Sequence, residues 1–183
     1  MVSWKAGVVL LALLVVLGYF LLRPQPKPAE PPKLVPCDSF NTIYARFEGG
    51  GKVTEIERPK LGDSWSVKQP VSGAADRTSV EYDVNSINSI KIVNTVDRPG
   101  DLAQYGLDKP HVAVTCRLGS GASYNLTVGG KSFDGSAYYA QKQGDPKVYV
   151  ISAVEVDGFD RTLSEPPIKP SPQPGASQSP AMP

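Results

Sequence analysis

His111 is the only histidine among 183 residues, so any Ser-His-Asp relay in this chain would have to run through it. No Gly-x-Ser-x-Gly elbow is present to offer a nucleophile. His111 also follows Pro110 directly, at the start of an expected strand, a poor position to be flanked by both a nucleophile and an orienting acid. It reads as a half-exposed strand histidine. Carboxylates for acid–base work come in two close sets. Asp97 and Asp101 bracket Arg98-Pro99-Gly100, and Asp157 and Asp160 bracket Gly158-Phe159. Neither set has calcium-loop spacing. Helix capping and turn formation already account for acids so placed. Gly129-Gly130-Lys131 has the look of a phosphate loop but lacks its earlier glycine and a Ser/Thr-led helix after it. It reads as a hairpin connection, as does Asp134-Gly135, a pair suited to the positive backbone angles of tight turns.

Cys37 and Cys116 are the two cysteines, without Cys-x-x-Cys spacing, so neither zinc nor a redox motif is indicated and no metal or cofactor is expected. They could form one disulfide in a body outside the cytoplasm. Alternation with Val112, Val114 and Leu118 also places Cys116 on the buried face of a strand, bonded or not. Net charge is +1 and no Lys/Arg run occurs, which argues against a nucleic-acid partner, since that would need a positive stripe. Asn125 opens a glycosylation sequon, but at mid-strand.

The elements that must position these groups divide into four regions. Residues 1–23 form an expected transmembrane signal anchor. Residues 6–22 carry no charge and no proline and would span ~25 Å as a helix. Leu10, Leu14 and Leu17 would face lipid, with Trp4, Tyr19 and Phe20 near the interfaces. No small-x-small site follows, so the segment reads as uncleaved. Arg23, Lys27 and Lys33 outnumber Lys5, which by count favours a cytoplasmic body. A short positive N-terminus followed at once by an apolar helix has the form of a signal anchor with the body outside, and an extracytoplasmic, periplasmic body is the expectation. Residues 24–36 hold six of 18 prolines and read as a polyproline spacer of up to ~40 Å. Residues 37–164 form the body, and residues 165–183 an expected disordered Pro/Ser-rich tail.

Within the body, residues 42–47 and 53–58 alternate as strands around a Gly-rich turn. Trp65 and Val67 share one strand face that Pro70 ends; Trp65 is either a core anchor or a stacking platform. Val80, Val84, Ile87 and Lys91, with Ile90 beside them, form one helical face, with Asp76 as N-cap. Short alternating strands and Gly-rich turns from His111 to Ser152 predict an antiparallel meander, closed by a short helix. The fold class is α+β: a transmembrane helix, then a mainly antiparallel sheet with one long helix and one or two short ones. In Asp101-Leu-Ala-Gln-Tyr-Gly-Leu-Asp-Lys-Pro110, Asp101 starts a helical turn, Gly106 ends it, Leu107 drops into the core and Pro110 launches the first meander strand.

Trp65 with Pro70, then Tyr105, Gly106, Leu107 and Pro110, then Val128 and Gly129, and Gly135 with Tyr138 match a pattern. On these the chain resembles the bacterial domain-of-unknown-function 4340 family over roughly residues 43–163. The resemblance implies a membrane-anchored, extracytoplasmic α+β domain, in some members auxiliary to gliding-motility-type ABC transporters. It implies no catalytic residues. This chain differs from larger members in its single copy and its proline stalk. The expected function is a non-enzymatic, single-span accessory subunit. Its partners would be the bilayer and other subunits of a transporter or energy-transducing assembly, with Tyr138 and Tyr139 as candidate contacts. The alternatives are a cell-envelope glycan- or peptide-binding module using Trp65, Tyr138 and Tyr139, and, less favoured, a hydrolase.

Overall fold

The computed structural model describes residues 4–22 and 33–170, with some side chains of the first helix left aside. The first unit contains an α-helix, α1 (Trp4–Leu22), of 19 residues. Among the described residues no helix is long and apolar enough to cross a membrane. The described side chains of α1 run without a break only over residues 12–19, and those of Leu10 and Phe20 lie outside the described residues. Residues 24–32 of the expected stalk and 171–183 of the expected tail also lie outside them.

The second unit is one nine-stranded antiparallel sheet with two helices. Its strands are β1 (Thr42–Gly49), β2 (Lys52–Glu57), β3 (Ser66–Gln69), β4 (Gly73–Ala74), β5 (Ile92–Val96), β6 (Val112–Leu118), β7 (Ser123–Lys131), β8 (Ala137–Lys142) and β9 (Val148–Ser152). They lie in the order β4-β3-β2-β1-β6-β7-β8-β9-β5. The hairpins and meander follow from period-2 alternation interrupted by turns. The chain reverses after β1 on Gly50 and Gly51, both at positive φ, a conformation that costs glycine least. Helices α2 (Arg77–Asn88) and α3 (Ala153–Ser164) supply Val80, Val84 and Ile87, and Val156, Phe159 and Leu163, to the core. These meet Ala45, Phe47, Ile56, Val112, Val114 and Leu126 from the sheet. The Phe47 and Phe159 rings stand 5.7 Å apart.

Asp76 caps α2 as expected, accepting the Ser79 N–H at 2.9 Å. Several expectations are corrected. Helix α2 stops at Asn88, so Lys91 is exposed and outside it, while Ile90 is buried just beyond its end. Helix α3 is 12 residues long, the same as α2, so one long helix and a short closing one becomes two equal helices. Gly129, Gly130 and Lys131 belong to β7 and are no hairpin connection. At Asp134-Gly135 only Gly135 has positive φ. Asp134 holds the turn instead through its side chain, accepting from the Ser132 and Ser136 hydroxyls at 2.7 Å each. The body begins before residue 37 and ends after 164. Leu34 and Val35 are core residues. Residues 165–170 run along the β4 edge, where the Lys169 N–H donates to Ala74 O and the Asp76 N–H to Pro167 O, both at 2.9 Å. Those donors and acceptors satisfy backbone groups that an open edge would leave unpaired.

Cys37 and Cys116 are joined by a disulfide with Cα atoms 6.5 Å apart. It pins the segment before β1 to β6, the middle strand of the nine.

Candidate functional site

Four groupings stand out among the described residues of the body. The first surrounds His111. Its Nε2 lies 2.9 Å from Asp160 Oδ2, both half exposed, and its ring stacks on Tyr138 at 5.3 Å. The Lys131 ammonium stands over the other part of that cluster, 5.2 Å from the Tyr138 ring. So the histidine does have an acid beside it, against the sequence reading. The signal was available: Val156, Phe159 and Leu163 point inward from α3, which sets Asp160 on the flank of that face. No Ser, Cys or Thr hydroxyl or thiol is among the described partners of His111, and the pair joins α3 to the start of β6. Four further acids are engaged locally. Asp97 pairs with Lys147 at 2.8 Å, and Asp101 accepts the Ala103 N–H at 3.0 Å. Asp145 accepts from Tyr149 at 2.6 Å, which pushes the phenol up to about 12. Hydrogen bonds from Ser132 and Ser136 hold Asp134 down at about 2. Among the described residues no three His, Cys, Asp or Glu side chains are grouped to hold a metal.

The second grouping is the turn that the sequence singles out. A 3-10 helix, Leu102–Tyr105, is capped by Asp101 and closed by Gly106 at φ 69°. It lies against the Gly129-Gly130 bulge of β7. A Cβ on Gly129 would stand 2.3 Å from Tyr105 O, and one on Gly106 2.6 Å from Gly130 N. Two backbone segments meet here, with no room for a side chain at Gly106 or Gly129. Tyr105 packs edge-on to Tyr139 at 5.0 Å. Leu107 is half-buried and outside the core cluster, a correction to its expected insertion. Pro110 is exposed two residues ahead of β6.

The third is a cleft of about 320 Å³ lined by Arg58, Asp63, Trp65, Arg77, Glu81 and Lys169. Arg58 is buried without an ion-paired carboxylate among the described residues. Its Nε donates to Thr42 O at 2.9 Å, and its Nη2 to Ser39 O and Thr42 O at 2.7 and 2.6 Å. Desolvation lowers its pKa. Its guanidinium lies 4.4 Å from the Trp65 ring centroid and covers that face. Trp65, at 6% exposure, is therefore a core anchor and no stacking platform. Tyr138, at 7%, is likewise buried, so the expected exposed tyrosine pair reduces to a half-buried Tyr139.

The fourth is the seam between α2 and α3, which opens into a groove of about 420 Å³. Asp83 is buried on the α2 side, and desolvation raises its carboxyl to about 6 against a hydrogen bond from Thr162. Arg161 approaches it only to 4.0 Å. Glu155 faces the same groove, with a buried Oε2 that has no hydrogen-bond partner among the described residues. The sequence reading missed both acids, because it tested carboxylates by spacing along the chain and these two lie on different helices.

A family model described as a domain of unknown function, DUF4340, matches residues 65–165, more than half of the 183. The chain belongs to the DUF4340 family. No curated protein and no solved structure matches it. The DUF4340 match starts at Trp65, later than the 43 expected, so β1, β2 and Cys37 precede it. Within the DUF4340 span fall the capped turn, the glycines that receive it, the meander and α3. Four residues of the family-like pattern have a clear geometric duty. Trp65 anchors, Gly106 and Gly129 allow close approach, and Tyr138 fills space beside His111.

Proposed function

We propose that this protein is a non-enzymatic accessory subunit, held in a membrane by α1, whose extracytoplasmic body docks on a larger membrane protein complex of the transporter or energy-transducing kind. One observation carries the reading: Leu13, Leu14, Val15, Val16 and Leu17 are all exposed on α1. Five consecutive residues at 100° each sweep the whole circumference of a helix. A helix apolar on every side needs an apolar surround. The sequence continues that run without charge from residue 6 to residue 22. The disulfide supports a body in an oxidising compartment. The local engagement of Asp97, Asp101, Asp134 and Asp145 supports a scaffold, and the burial of Trp65 and Tyr138 weighs against the platform that a glycan-binding module would use.

The test uses the full chain in its native membranes. Resistance to alkaline carbonate extraction, followed by co-elution with other membrane proteins at constant ratio in mild detergent, is the expected result. Release by carbonate, or elution of the chain alone across several mild detergents, would overturn the proposal.

A further inference from the structure

Ser152 and Glu155 have the Ser-x-x-Glu spacing of a capping box at the start of α3, in which the glutamate should accept the N–H of the capping serine. Ser152 does cap the helix, its hydroxyl accepting the Val154 N–H at 3.3 Å. Its own N–H, however, donates to Lys91 O at 3.2 Å. Glu155 is thereby excluded from the box, and its Oε2 is left buried with no donor among the described residues. Buried carboxylate oxygens without partners are rare, because the lost hydration is not replaced.

The surroundings supply the shape that would complete it. Glu155 lines the α2–α3 groove with Ser86, Ser89, Tyr82, Val154 and Gly158. Tyr82 and Val154 are 58% and 76% exposed, an uncovered apolar rim. A Cβ on Gly158 would meet nothing within 4 Å, so the α3 side of the groove is open. Among the described residues that line the groove Glu155 is the one charged side chain, and Arg161, the nearby cation of the seam, lies 4.0 Å from Asp83 instead, so the groove carries an acid without a described cation. Arg161 already lies 4.6 Å from the Tyr82 ring, so a cation against this tyrosine has a precedent within the seam.

We infer that the α2–α3 groove is the docking site for a partner subunit's segment that inserts a lysine or arginine onto Glu155, its aliphatic stem lying along Tyr82 and Val154. A long basic side chain suits such a site because its stem is apolar and only its head is charged. The inference rests on the accessory-subunit reading and adds the surface and the chemistry of the partner.

The test places a photo-crosslinking residue in the full chain in native membranes, at position 154 on the groove or at 117. Arg117 is exposed on β6, where Val112, Val114 and Cys116 face inward, so 117 reports the opposite sheet face. Crosslinking from 154 is expected to a membrane protein peptide that contains Lys or Arg. It should fall tenfold or more with Glu155→Lys and persist with Glu155→Asp. The uncharged Glu155→Gln should also weaken it, while the melting temperature of the purified full chain stays level or rises. A crosslink from 154 indifferent to Glu155→Lys, a mapped peptide without a basic residue, or a Glu155→Gln chain that melts lower would overturn the inference. Crosslinks from 117 and none from 154 would overturn the groove and leave the accessory reading standing. Crosslinks from neither position would remove both.

Discussion

Asp83 sits in a buried environment that disfavours its charge, and its carboxyl is raised to about 6 by desolvation. A raised carboxyl means that the folded chain holds the proton more tightly than the unfolded chain does. Stability therefore falls as pH rises from 3.8 to about 6 and stays lowered above that window. Asp83→Asn should stabilise the protein at pH 7.5 by an amount on the order of 1–3 kcal/mol. The gain should vanish by pH 4, and thermal melts at the two pH values check it. Equal gains at both would show that the effect is not titration. Arg58 gives the opposite case of a buried charge held by good geometry. It is fixed by three hydrogen bonds to backbone carbonyls and by the Trp65 face. Lysine cannot reproduce that fork. Arg58→Lys should cost about 2 kcal/mol in urea unfolding, with quenching or a spectral shift of Trp65 as its ring face is uncovered.

Between elements, the contact that most restricts sequence is the 3-10 turn on the β7 bulge. Gly129→Ala would set a methyl 2.3 Å from Tyr105 O. Either the turn lifts or the bulge shifts, at a cost of about 1–3 kcal/mol. Gly130→Ala, whose methyl would stand 3.5 Å from the same oxygen, should be nearly neutral. Paired denaturant melts of the two variants check this, and a similar loss from both would mean that the bulge matters more than the contact. The same pair explains why this part of the chain misleads on reading. Gly-Gly-Lys is the composition of a tight turn and also of a strand that another backbone must touch, and nothing local separates the two. The meander was legible because Val112, Val114 and Cys116 alternate cleanly between a covered and an open face. Helix α2 was legible through Val80, Val84 and Ile87, but Ile90 prolonged the pattern past its true end at Asn88. Gly158 hid the full length of α3, where the groove leaves its missing side chain unneeded. The Asp83 and Glu155 seam was illegible in principle, since its two acids stand on different helices that only packing sets side by side.

At the scale of the molecule, the disulfide closes 79 residues of sequence separation. Loop entropy for that length predicts a loss of about 4 kcal/mol when Cys37 and Cys116 are both replaced by serine. Denaturant melts of the oxidised protein against the double variant check the value. A loss under about 1 kcal/mol would mean that packing around Leu34 and Val35 already orders the segment.

The bond has a mechanical meaning as well. A pull transmitted along the leading segment reaches Cys37 before it reaches β1, and there it passes covalently into β6, with four strands on either side. Peeling the sheet from its amino-terminal end is thereby blocked, and tension is spread across the middle of the domain as shear. While the bond is intact a load on that end falls on the middle strand of the sheet, and a reductant would shift it to β1.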